Sequence, residues 1–109
     1  MIRAVGLALS LLATASVGAE VGYFRDGNAL YRECTSTDTE DSASCVAYVV
    51  GVVDSFTFTS RQVCLPKGVQ GGQVRDLVVN FLRERPEMRQ YSAPSLITPL
   101  VKRVWPCGE

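Results

Sequence analysis

The sequence predicts an all-α fold, a small four-helix up-and-down bundle stapled by two disulfides, on three observations. Apolar residues recur at steps of three and four along three long stretches and one short one, the spacing that lines up one face of a helix. Four cysteines, Cys34, Cys45, Cys64 and Cys107, all follow an apolar leader, the pattern of a stapled domain in an oxidising compartment. The 90 residues from Glu20 to Glu109 make one domain with a marginal core, the size at which covalent staples matter.

The chain opens on a signal peptide, residues 1–19. Arg3 supplies the positive charge, Ala4 to Val17 are almost all apolar or small, and Val17-Gly18-Ala19 offers the small residues a signal peptidase needs, so cleavage is expected after Ala19. The apolar run is shorter than the roughly 20 residues that cross a bilayer, so no stable membrane insertion is expected and the domain is periplasmic or secreted. Residues 20–109 carry no internal repeat, low-complexity tract or long linker and read as one unit.

The first helix is short, Asn28 to Cys34, with Leu30, Tyr31 and Cys34 on one side. The second carries Cys45, Tyr48, Val49, Val52, Val53 and Phe56, and Thr37 with Glu40 fits a capping box at its start. Its β-branched stretch, Val46 to Val53, has strand character too, but no two-residue hairpin turn adjoins it and the longer stripe favours helix. Gly51, mid-helix, points to a close helix approach, within the chain or between copies. The third helix is striped by Val74, Leu77, Val78, Phe81 and Leu82 and ended by Pro86, with Gln70 where a Ser or Thr cap is usual. The fourth runs through Leu96, Ile97, Leu100, Val101, Val104 and Trp105 to Pro106. Pro99 falls in its opening turn if Ser95 is the cap, and kinks it if the helix starts near Ser92.

The topology selects the disulfide pairing. In an up-and-down bundle the end of the first helix lies beside the start of the second, and the connection after the second lies beside the end of the fourth. Cys34 with Cys45 and Cys64 with Cys107 need no crossing of the bundle. Trp105 is then a core plug near the second bridge.

Composition removes several function classes. There is no histidine and no Cys-x-x-Cys pair, so a zinc site is not expected, and no cofactor motif occurs. Lys67 and Lys102 are the only lysines, which leaves serine or cysteine catalysis without an ordinary base; Asp54 is more simply a polar helix position, and no catalytic residue is assigned. Without Arg3 the domain holds ten basic and eleven acidic residues, a net charge of minus one, which is no footprint for nucleic acid. The expected partner is a protein. Glu33, Asp38, Glu40 and Asp41 gather around the first inter-helix loop, and Arg83, Arg85 and Arg89 around the third, at one end of such a bundle. Either the two groups neutralise each other, or Arg83, Arg85, Arg89 and Tyr91 form a partner-binding surface.

Asp26-Gly27-Asn28-Ala29-Leu30-Tyr31-Arg32-Glu33-Cys34, the Cys45-to-Asp54 stretch with Tyr48, Gly51 and Asp54, Cys64-Leu65-Pro66 with Gly72-Gln73-Val74, and Pro106-Cys107 occur in one order and spacing. The pattern resembles the Tai family of type VI secretion amidase immunity proteins over essentially all of residues 20–109. Gln70 and Pro99 depart from it. The resemblance implies a helical periplasmic protein that occludes the active site of a secreted peptidoglycan amidase, commonly as a homodimer. A different class of function, a small periplasmic stress chaperone, or an orphan protein-binding domain, is the alternative; with no histidine, its acid switch would rest on carboxylates titrating near about pH 4.

Overall fold

The computed structural model describes residue 2, residues 4–10 and residues 22–108; the expected cleavage point after Ala19 lies outside them. Four helices follow in order: α1 (Gly27–Thr35), α2 (Thr39–Ser60), α3 (Gly71–Glu84) and α4 (Ala93–Val104), with a single 3₁₀ turn at Pro86–Met88 between the last two. Both disulfides are formed as the topology requires, Cys34–Cys45 and Cys64–Cys107.

α1 starts where the Asp26 carboxylate accepts the Ala29 amide at 2.8 Å. Two more first-turn amides, which an isolated helix leaves unpaired, donate to the α3–α4 connection: Gly27 N–H to the Tyr91 carbonyl and Asn28 N–H to the Arg89 carbonyl, both 2.8 Å. The Ala93 amide returns the contact to the Arg25 carbonyl at 2.9 Å. Nine residues give α1 a length of about 13 Å. It therefore covers one end of the bundle, its first turn on the α3–α4 connection and its last turn bridged to α2.

α2 is the central helix, with 22 residues. Its cap is Asp38, whose carboxylate accepts from the Glu40 and Asp41 amides, rather than the expected Thr37 and Glu40 box; an ionised carboxylate is the stronger acceptor at a positive helix end. Its valines are divided by face. Val49 and Val53 are buried in the core, whereas Val46 and Val50 lie against Gly71 at the start of α3. α2 ends at Arg61, in the left-handed region at φ 54°. Beyond it Val63 pairs with Pro106, and the Cys64 amide donates to the Trp105 carbonyl, so the second disulfide closes a joint already tied by backbone. By length and apolar composition α2 could cross a membrane, but here it is bridged to α1 and packed against all three other helices.

α3 opens on Gln70, whose amide donates to the Gln73 side-chain oxygen at 2.7 Å, the bond that an N3 glutamine makes to the cap residue in a capping box. α4 starts at Ala93, which puts Pro94 in the opening turn and Pro99 in the interior. Leu30, Cys45, Val49, Val78, Leu82, Ile97 and Val101 form the closed centre of the core, one or more from every helix. Trp105 packs half-buried at its edge. Among the described residues no buried side-chain polar atom lacks a hydrogen bond.

Candidate functional site

The two charged groups seen in the sequence do meet the same end of the fold, but they do not neutralise each other. Glu33 pairs with Arg25 at 3.0 Å, Asp38 caps α2, and Asp41 accepts from the Ser36 hydroxyl at 2.7 Å. On the other side, Arg83 donates to Asn80 at 3.0 Å and Arg85 to Glu87 at 2.6 Å. The Arg85 hydrogen bond holds the Glu87 carboxyl below the ordinary carboxylate range. Arg89 turns inward: its guanidinium stacks 3.8 Å above the Tyr31 ring and its Nε donates to the Leu82 carbonyl at 2.7 Å. Arg83 in the last turn of α3 and Arg85 and Tyr91 on the connection after it thus stand exposed, while Arg89 joins α3, α1 and the 3₁₀ turn. Asp54 is exposed on α2. Among the described residues no cluster of three His, Cys, Asp or Glu side chains is placed to hold a metal.

Arg25 is a residue that sequence reasoning missed. It makes two contacts to Glu33, donates to the Ser44 hydroxyl at 2.9 Å and lies 4.5 Å above the Tyr48 ring. Each partner is eight or more residues away in sequence, so no local pattern announces it.

The second missed feature is an apolar groove of about 550 Å³ between the outer face of α2 and the start of α4. Tyr48, Gly51, Val52 and Phe56 line it from α2, and Pro94 and Thr98 from α4. The close helix approach expected at Gly51 is not made within the chain: a Cβ there would meet nothing within 4 Å. Two turns further, Phe58 is 87% exposed. The clue in the sequence is Ala47, Gly51, Ser55 and Thr59 at steps of four, opposite the core stripe.

Against known families, residues 26–107 match Rap1a immunity proteins. The match runs from the α1 cap to the last cysteine and takes in all four helices and both bridges. It names an immunity family, though not the Tai family itself. Among curated proteins nothing matches the chain.

Proposed function

The chain belongs to the Rap1a immunity protein family, and from that premise we propose that it acts outside the cytoplasm, in the periplasm, by binding a secreted toxin and occluding its active site. The single observation that carries this reading is the family match over the whole bundle. The cysteine frame and the motifs around Leu30-Tyr31 and Tyr48 resemble Tai proteins, which directs the proposal further to a peptidoglycan amidase delivered by type VI secretion. Both disulfides support an oxidising compartment.

The surface offered for the toxin is the end of α3 and the exposed edge of the α3–α4 connection, Arg83, Arg85 and Tyr91, with Arg89 anchoring it from beneath. Loops held on a rigid scaffold are free to bind, and arginine and tyrosine carry much of the energy of protein interfaces. The protein itself performs no hydrolysis in this reading.

The test is titration of the purified protein into type VI secretion amidases acting on peptidoglycan fragments, with Arg83→Ala, Arg85→Ala and Tyr91→Ala combined as the surface variant. Support is inhibition at stoichiometric protein, with affinity for the toxin falling at least about tenfold in the triple variant while its melting temperature holds. Release of fragments by the protein alone, surviving repurification, would contradict the non-enzyme reading. Binding without inhibition would contradict occlusion.

A further inference from the structure

The cleft between α4 and the end of α3 holds about 240 Å³ and combines three features that the fold itself does not use. Its floor is apolar, made by Leu96 and Leu100 of α4 with Phe81 and Met88 half-buried beside them. Its rim on α4 is Ser95, Pro99 and Arg103, which follow at steps of four and so share one edge of the helix. Pro99 leaves the Ser95 carbonyl without its helical amide donor, and both residues line the cleft, so a backbone acceptor stands open at its edge. The third feature is charge. Arg85 stands where the chain leaves α3, and Arg103 in the last turn of α4, about 12 Å along the helix from Ser95. α4 carries no acidic residue, and among the described residues Arg103 forms no ion pair. The bond from Arg85 to Glu87 uses Nε, which leaves the Nη groups for a second carboxylate.

We infer that this cleft receives an extended acidic segment of the partner protein. An apolar side chain enters the floor, its backbone N–H donates to the Ser95 carbonyl, and carboxylates on either side of it meet Arg85 and Arg103. A purely apolar ligand would leave the carbonyl and both guanidinium groups without partners, and a small anion would leave the floor in water. A peptide supplies the donor, the acid and the apolar body from adjacent residues, and charged hydrogen bonds to arginine are the strong ones. Basic segments are turned away by the same two arginines. Pro99 then has a use, since any residue with an amide at position 99 would occupy the acceptor that the partner needs. Resting on the reading of Arg83, Arg85 and Tyr91 as the toxin's surface, the site extends that surface across the cleft to α4.

Two experiments separate its failure from the failure of that reading. In the first, the isotope-labelled protein alone is titrated with acetyl-Glu-Leu-Glu-amide, and with acetyl-Lys-Leu-Lys-amide and acetyl-Glu-Gly-Glu-amide as controls, while its backbone amide shifts are followed. Saturable shifts centred on residues 81–88 and 95–103 are expected with the first peptide. Arg103→Glu is expected to abolish them. Pro99→Ala is expected to weaken peptide binding about threefold or more by restoring the helical donor, although it melts higher, a combination that a merely structural proline does not give. Equal shifts with either control, or none with the first peptide, overturn the inference. In the second, affinity for the amidase is expected to fall at least about tenfold in Arg103→Glu while the melting temperature holds. An amidase bound equally by the wild type and Arg103→Glu overturns the inference and leaves the end surface standing. If the cleft binds the acidic peptide and the wild type binds no amidase, the site stands and the toxin reading falls.

Discussion

A methyl group on Gly27 would lie 2.7 Å from the Arg89 Cα and 2.8 Å from its carbonyl oxygen, both backbone atoms that cannot swing aside. The same residue donates its amide to Tyr91, so this one glycine lets the start of α1 seat directly on the α3–α4 connection. Gly27→Ala is therefore expected to destabilise the fold by about 1 to 3 kcal/mol through overpacking, despite alanine's better helix propensity. Urea unfolding measures it, and an unchanged midpoint would mean the two segments are not held together. Tyr48 offers a different probe. Burial pushes its phenol above the ordinary tyrosine value of 10.0, with Arg25 opposing from above the ring. Because the raised pKa belongs to the folded state, the unfolded chain releases this proton first. Its contribution is fully present below the unfolded value and is lost as pH rises through the folded one. The stability of the wild type should fall above about pH 10 more steeply than that of Tyr48→Phe, which has no proton to lose.

At the scale of the elements, Pro99 is the irregular point. α4 begins at Ala93, so the proline lies past the opening turn and leaves the Ser95 carbonyl without its amide donor. An interior proline costs up to about 3 kcal/mol against alanine, and Pro99→Ala is expected to raise the stability of the chain by about 1 to 3 kcal/mol. A loss on substitution, read by the same unfolding experiment, would show that the local geometry around Pro99 is needed for packing against Phe81 and Met88. What was legible beforehand follows from range. Core stripes such as Val74, Val78 and Leu82 repeat within one helix, so all four helices and their order could be read, and the order chose the disulfide pairs. Helix ends were less sharp: α2 begins at Thr39 on an Asp38 cap, one position after the Thr37 that the capping-box pattern points to. The contacts of Arg25, the inward turn of Arg89 and the open face at Gly51 were out of reach, since each depends on atoms from another helix. Gly51 was read as a tight crossing because sequence registers the missing side chain and not the empty space beside it.

For the molecule as a whole the two bridges do different work. Cys34–Cys45 closes 11 residues of chain, and Cys45 is wholly buried in the core. Cys64–Cys107 closes 43 residues, ties the end of α4 to the connection after α2, and has Cys64 exposed. Chain entropy alone assigns the shorter loop about 3 kcal/mol and the longer about 4. Burial adds a second cost to the first pair only, because replacing Cys45 by serine sets a hydroxyl among Leu30, Val49 and Leu82, where an unpaired polar group costs about 1 to 3 kcal/mol. Accordingly, Cys34→Ser with Cys45→Ser is expected to lose stability comparable to or greater than Cys64→Ser with Cys107→Ser, even though the entropic order is the reverse. Replacing the same pairs by alanine removes the hydroxyl and narrows that difference. Limited proteolysis separates the two effects in space. Loss of the second bridge leaves the joint held by the Val63–Pro106 pairing and the Cys64–Trp105 hydrogen bond, so cleavage is expected around residues 61–69 and 105–108 while the core fragment persists. Loss of the first bridge loosens α1 from α2 at the end that also seats Arg25, Arg89 and the α3–α4 connection. Protection there and unaltered toxin binding after its removal would show that the end surface is held by packing alone.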